Sequence, residues 1–281
     1  MNALFLGLVA AFCWGLHDIA IRYLSKTVPL MGALLVVLLT ALAFQSGVLL
    51  FDGAALMPTG PALWLSIGAG VTFLVASLGL YFAFERGPVR LVSPIIGAYP
   101  ILSLAYAMLG GSQVTPDQIA AVVVIVVAVG VVAVLSDPAA DDVPPRGPTI
   151  ALSVLSAIGF ASTFQLGHMA SEHGGEWQST FATRVIALAG LCALLIVLRP
   201  DLRVGRRALL PLITMGVLDG IALLAVISAG ALEQPEFAAV AASMFGLFTI
   251  LLARVFLKEQ MAPAQWAGCV VAFLGIGYLA L

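Results

Sequence analysis

Apolar runs of about twenty residues, each closed by a short polar break, follow one another along the whole chain. Crossing about 30 Å of hydrocarbon takes about 20 apolar residues in a helix, because every backbone polar group must be paired within the segment. Ten runs meet that requirement, near residues 2–23, 30–51, 62–85, 91–110, 116–135, 148–170, 178–198, 208–231, 235–257 and 262–281. The breaks collect the Pro, Gly and charged residues on which helices end, as in SKTVP (25–29), DGAALMPTGP (52–61) and RPDLRVGRR (199–207). The longest polar piece, SDPAADDVPPRGP (136–148), separates the fifth run from the sixth. The expected organisation is therefore a first five-helix unit over 1–135, a linker over 136–147, and a second unit over 148–281, all within one membrane domain.

Composition turns these runs into a membrane assignment. Of the 281 residues 62% are hydrophobic and only 9% charged, with a mean hydropathy of +1.13, which no soluble domain of this size matches. The partners implied are the lipid bilayer and a small-molecule substrate, not nucleic acid, and no cofactor is implied. Cys13, Cys192 and Cys269 fall in apolar runs at no metal-like spacing and read as small core residues.

Charge gives an orientation. Counting alternate connections, Arg22, Lys26, Arg86, Arg90, Arg146, Arg199, Arg203, Arg206, Arg207, Arg254 and Lys258 fall on one side, eleven of the twelve basic residues. The twelfth, Arg184, is inside the seventh run. Positive charge marks the cytoplasmic face, so both termini are expected outside the cytoplasm and the linker within it, in the inner membrane of the cell. The first run lacks a basic region ahead of it, which suits an uncleaved helix rather than a signal peptide.

A shift of 147 lays GGSQVTPDQIAAVVVIVVAVGVV (110–132) over LKEQMAPAQWAGCVVAFLGIGYL (257–279). Gln113, Pro116, Gln118, Ala120, Val123, Val124 and Gly130 meet Gln260, Pro263, Gln265, Ala267, Val270, Val271 and Gly277, and upstream Pro88 meets Pro235. Five helices is an odd number, so the second copy enters the membrane from the opposite side. The expected fold is all-α and integral to the membrane: ten transmembrane helices as two inverted repeats, the architecture of alternating-access carriers.

With these features the chain resembles the drug/metabolite transporter superfamily, in its ten-helix branch of EamA-type metabolite exporters. Trp14-Gly15, midway along the first helix, resembles that family's opening signature. FLKEQMAPAQWAGCVVAFLGIG (256–277) is similar to its short Glu-containing turn followed by a Gln, a Gly and a Gly-rich last helix. The first half departs where Glu259 would be matched, carrying Ser112, so Glu259 reads as a loop-capping residue near Lys258. The resemblance implies secondary transport of small organic metabolites, commonly amino acids, through a cavity lined mainly by segments 1, 3, 4, 6, 8 and 9.

An ionisable group at mid-bilayer costs about 2.5–3.5 kcal/mol on insertion scales, so the few present carry information. In FCWGLHDIAIRY (12–23), His17 and Asp18 stand side by side in an otherwise apolar run. Arg22 is four residues beyond Asp18, a spacing that pairs well on a helix, so a structural ion pair and a functional carboxylate are both open readings. Trp14, Asp18 and Arg22 form one helical stripe, and Phe160, Phe164 and His168 repeat its spacing in the second half. Asp219 and Arg184 sit on adjacent antiparallel segments, where they form either a structural pair or contacts to a substrate. Ser77 and Tyr81, Tyr99 and Tyr106, and Phe245 and Phe248 supply amphipathic and aromatic faces suited to ring-shaped or cationic solutes. Pro94, Gly97 and Pro100 break the fourth segment, a gating element.

The substrate cavity is thus expected at Trp14, His17, Asp18, Ser77, Tyr81, Tyr99, Phe160, Phe164, Asp219 and Phe245, with Asp18, Arg22, Arg184, Asp219, Pro94 and Pro100 as coupling or gating residues. The expected activity is export of an amino acid, with an aromatic one included, by a monomer or weak homodimer. A proton-coupled exporter of drugs or organic cations, exchanging at Asp18, is the alternative within the class. One embedded Arg and no embedded Lys argue against polyanions. An intramembrane aspartyl protease using Asp18 and Asp219 is the rival of another class, though HDIA and VLDG lack the Gly-rich and Tyr-Asp contexts of such enzymes. The chain has no G-x4-G-K-S/T phosphate loop for a primary pump.

Overall fold

A computed structural model describes residues 3–52, 56–109, 115–134, 145–229, 232, 236–258 and 260–279. Most of the 136–147 linker lies outside the described residues, as do Ser112, Gln113, Pro235 and Glu259. The described residues form α1 (Ala3–Leu24), α2 (Leu30–Asp52), α3 (Pro61–Arg86), α4 (Val89–Gly97), α5 (Pro100–Leu109), α6 (Pro116–Val134), α7 (Arg146–Gly174), α8 (Glu176–Leu198), α9 (Arg206–Ser228), α10 (Glu236–Ser243), α11 (Phe245–Leu252) and α12 (Pro263–Leu279). A π-helical turn, Ala253–Leu257, prolongs α11. Grouped as α4 with α5 and α10 with α11, these are ten segments. Among the described residues six helices, α1, α2, α3, α7, α8 and α9, are long and apolar enough by themselves to cross a membrane.

The fourth segment breaks where the sequence places its prolines. Pro94 sits inside α4 and Pro100 opens α5; between them the backbone tightens, Tyr99 N donating to Ile96 O at 3.1 Å and Leu102 N to Tyr99 O at 2.9 Å. The ninth segment breaks too, at Met244, where no proline announces it; Met244 N donates to Ala241 O at 3.1 Å and Leu247 N to Met244 O at 3.0 Å. The reason is packing. A Cβ on Gly246 would lie 3.0 Å from Ser93 O, and one on Gly97 would lie 3.3 Å from Ser243 O. The two broken segments therefore cross backbone against backbone, and their interruptions occupy matching places in the two halves.

Helix packing repeats in the same way. α3 lies along α7 as α9 lies along α1, α3 packs on α8 as α2 packs on α9, and α6 packs on its own repeat counterpart α12. Small residues set the closest of these contacts, as they do between helices in lipid, where apolar burial offers no driving force. At the α3–α7 contact Ser156 Oγ donates to Ala76 O at 2.9 Å, and a Cβ on Gly159 would lie 2.7 Å from Ala76 Cβ and 2.9 Å from its N. Gly159→Ala is accordingly expected to destabilise the protein by about 1–3 kcal/mol, the usual cost of overpacking. Thermal unfolding in detergent checks this; an unchanged midpoint would show that α3 and α7 separate freely.

The basic residues at one end of the bundle fasten helix ends. Arg22 Nη1 donates to Phe84 O at 2.6 Å, at the last turn of α3. Arg90, at the start of α4, donates to Gln260 O just before α12. The Asp18–Arg22 ion pair that the spacing allows is not formed, because Arg22 turns to the unpaired carbonyls that close α3.

Candidate functional site

Between α1, α2, α3, the α4–α5 break, α7, α9 and α11 lies a cavity. Its wall contains Trp14, His17, Asp18, Ser77, Tyr81, Tyr99, Phe160, Phe164, Asp219 and Phe245, all ten residues named above from the sequence. All of these side chains are buried except Phe160, which is half-buried, so the chamber is nearly closed to its surroundings.

Aromatic rings make most of the wall. Phe160 stacks on Phe164 with centroids 6.1 Å apart, and Phe164 meets Trp14 at 5.6 Å and Tyr99 at 5.1 Å. Phe245 stands edge-on to Trp14 at 6.2 Å, and Phe73 edge-on to Phe160 at 6.0 Å. The stripe on α7 thus faces the stripe on α1 across one chamber, with Phe164 opposite Trp14.

Two polar constellations interrupt the rings. In the first, His17 bridges neighbours: Nδ1 lies 3.1 Å from Asp18 Oδ1 and Nε2 lies 3.2 Å from the Tyr81 hydroxyl. Asp18 is 1% exposed, and its second oxygen, Oδ2, has no hydrogen-bond partner. The Thr249 hydroxyl, which donates to Phe245 O at 2.8 Å, is also within hydrogen-bonding reach of the Asp18 carboxylate. A carboxylate oxygen left bare in a closed apolar chamber is the strongest unmet demand in the wall.

The second constellation is built around a buried ion pair. Arg184, 0% exposed, brings Nη1 within 2.5 Å of Asp219 Oδ2 and donates from Nη2 to Asp219 O at 3.1 Å. Its Cζ sits 4.2 Å above the Phe73 ring. The Trp14 indole Nε1 donates to Asp219 Oδ1 at 3.1 Å. Asp219 is therefore neutralised from behind by Arg184 and spends its other oxygen on holding Trp14 in the wall. Arg184 is not part of the lining.

Other residues named from the sequence stand apart from the chamber. Pro94 and Pro100 flank Tyr99 without lining it, and Arg22 lies at the helix ends described above. Tyr106 bonds Ser162 Oγ at 2.7 Å, Phe248 packs edge-on to Phe12 at 6.3 Å, and His168 Nε2 lies 3.3 Å from Val226 O; none of the three reaches the cavity. Conversely, Leu34, Val37, Leu38, Phe73 and Leu80 line it and were not singled out. Leu34, Val37 and Leu38 add the second segment to the six that the resemblance implies. Glycines bring α2 in: a Cβ on Gly216 of α9 would lie 2.6 Å from Val37 O, and one on Gly220 would lie 3.0 Å from Phe44. An aliphatic stretch with no polar marker gives no hint of this in sequence.

Ten helical segments in two matching halves around a closed, aromatic, charge-bearing chamber define a membrane transporter. The chain belongs to the EamA-like transporter family, which matches it over residues 1–134 and again over 147–281. Members carry out secondary transport of small molecules and are not enzymes. One crystal structure that bears no functional description is similar over 98% of this chain and 95% of its own, with a TM-score of 0.73 and 16% identity, a likeness of fold alone. No curated protein matches. The protease alternative falls with the family assignment, and the two aspartates have separate partners, His17 for Asp18 and Arg184 with Trp14 for Asp219.

Proposed function

We propose that the chain is an exporter of the inner membrane that carries a small organic amine with a flat apolar body, one molecule at a time, by alternating access of its two halves. The observation that carries this reading is Asp18 Oδ2, a buried carboxylate oxygen without a partner in the wall of an aromatic chamber. A protonated amine supplies the missing donor and charge, and the rings of Trp14, Tyr99, Phe164 and Phe245 supply faces that attract both a cation and an aromatic body. An amino acid satisfies these demands with its ammonium group and, when aromatic, its side chain.

Its carboxylate has no counterpart ready, because Arg184 lies behind Asp219 and is engaged there and on Phe73. That engagement favours the second reading, an organic-cation exporter, over the amino acid. In that reading the His17–Asp18–Tyr81 chain offers a route by which a proton could replace the cation on Asp18, which gives coupling to a proton gradient.

Reconstituted vesicles separate the two with a matched pair of probes, tryptophan and tryptamine, which share a ring and an amine and differ by one carboxylate. Tryptamine is expected to be taken up at least about ten times faster at equal concentration, the factor that 1.4 kcal/mol of discrimination gives. Uptake of tryptophan with exclusion of tryptamine would mean that Arg184 leaves Asp219 to bind substrate, and the amino-acid reading would stand instead.

A further inference from the structure

Among the described residues outside the cavity wall, the side chains of Gln45, Ser66, Ser93 and Ser179 are buried with no hydrogen-bond partner, and three of them, Gln45, Ser66 and Ser179, fall in one region. Gln45 on α2 is 2% exposed with neither amide atom hydrogen-bonded, and the Ser66 and Ser179 hydroxyls, on α3 and α8, are fully buried and equally unpaired. Many helical hydroxyls in this chain satisfy themselves locally. Ser153, Thr163, Ser171, Thr183 and Thr249 each donate to the carbonyl four residues earlier at 2.8 Å. Unpaired buried polar atoms are rare in folded proteins, and lipid supplies no substitute partner, so three together call for water or a ligand.

Helix register puts them in one region. A Cβ on Gly70 would lie 2.6 Å from Ile186 Cβ and 2.8 Å from Thr183 O, and one on Gly190 would lie 2.8 Å from Leu74, so α3 and α8 run parallel with Gly70 level with Thr183. Ser66 and Ser179 each lie four residues before those positions, one turn along the same faces. On α3, Ser66 continues the stripe of Phe73, Ser77 and Leu80 that faces the cavity. On α2, Gln45 continues the stripe of Leu34 and Leu38, which also faces it. α2 packs on both α8 and α3.

The direction is the same on all three helices. Ser66 is seven residues from Phe73, Gln45 seven from Leu38 and Ser179 five from Arg184, each displaced away from the arginine-fastened end by roughly 8–10 Å at helical rise. Further along, at the mouth of α8, the half-buried Glu176 hydrogen-bonds Ser228 at the end of α9.

We propose that Gln45, Ser66 and Ser179 line the second half of the transport route. They form a hydrogen-bonding station between α2, α3 and α8 that is closed in this conformation and fills with water, then with the polar groups of the departing solute, when the halves move. This rests on the carrier reading above. The station carries no fixed charge, so it takes neutral donors and acceptors or a hydrated ammonium group and holds them weakly, as release requires. The Arg184–Asp219 pair stands between it and the cavity, a plug that separates the strong site at Asp18 from the weak one.

Thiol accessibility tests the route. In a background of Cys13→Ala, Cys192→Ala and Cys269→Ala, Ser66→Cys and Ser179→Cys are exposed to a membrane-impermeant trimethylammonium thiosulfonate in right-side-out and inside-out vesicles. Val71→Cys on α3, 53% exposed on the lipid-facing surface, is the control. Both serine positions are expected to react at least about ten times faster than Val71→Cys, and only from the side opposite Arg22 and Arg90, because the thiolate that reacts forms in water and not in hydrocarbon. Reaction at the control rate in variants that still transport overturns the proposal. Gln45→Leu gives a second readout with no added thiol. An incidental packing fault predicts a raised melting temperature with transport unchanged, which also overturns the route; a station on the route predicts the raised melting temperature with transport slowed several-fold. Should tryptamine not be a substrate, the reading of the cavity fails while one-sided labelling still identifies the route.

Discussion

Asp18→Asn should lower kcat/KM for a transported amine about 10–100-fold while leaving the protein folded. The change keeps the shape of the side chain and an acceptor for His17, and removes the negative charge that Oδ2 presents to the cavity. Hydrogen bonds to charged groups contribute about 1.5–3 kcal/mol, and each 1.4 kcal/mol is a factor of about ten. The loss should concentrate in KM if Asp18 only binds, and should extend to the response to an imposed pH gradient if a proton takes the place of the amine. Wild-type kinetics in the Asn variant would remove Asp18 from recognition altogether, and with it the case for a cationic substrate.

The largest expected effect on stability is at Arg184→Gln. Arg184 is wholly buried and Asp219 nearly so, and removing one partner of such a pair leaves an uncompensated charge at a cost of about 3–5 kcal/mol. Adding Asp219→Asn should recover most of that loss, because the pair then disappears as a pair and the amide oxygen of the new side chain can still accept from the Trp14 indole. Melting temperatures of the two single variants and the double variant, measured in the same detergent, close the cycle. If the double variant is no more stable than Arg184→Gln, the ion pair is not what holds α8 against α9, and the stacking of the guanidinium on Phe73 becomes the stronger candidate.

How much of this was legible beforehand follows from what each feature costs to place in a membrane. Charged and amphipathic residues are expensive there, so Asp18, Asp219, Tyr81 and Trp14 advertise themselves against an apolar background, and the cavity wall contains them. The segments were legible for the same reason, with α3 found at Pro61–Arg86 against 62–85 and α9 at Arg206–Ser228 against 208–231. Partner choice was harder. Arg22 stands at ideal spacing from Asp18, yet the open carbonyls of Phe84 and Glu85 come from a helix more than sixty residues away, and no local pattern announces them. The break at Met244 was hidden because it answers a crossing with α4 rather than a proline of its own. The aliphatic wall of α2 was hidden because leucine and valine look the same whether they face lipid or substrate.

The two constellations of the cavity come from different halves. His17, Asp18 and Tyr81 belong to the first, while Arg184 and Asp219 cancel one another within the second, which otherwise contributes the rings of Phe160, Phe164 and Phe245. The carboxylate proposed to meet an amine thus comes from the first half, while rings come from both, Trp14, Phe73, Tyr81 and Tyr99 from the first and Phe160, Phe164 and Phe245 from the second. If Asp18 receives a cation as proposed, substitutions at Phe160, Phe164 or Phe245 reshape the chamber from the second half while leaving that carboxylate and its His17–Tyr81 chain in place.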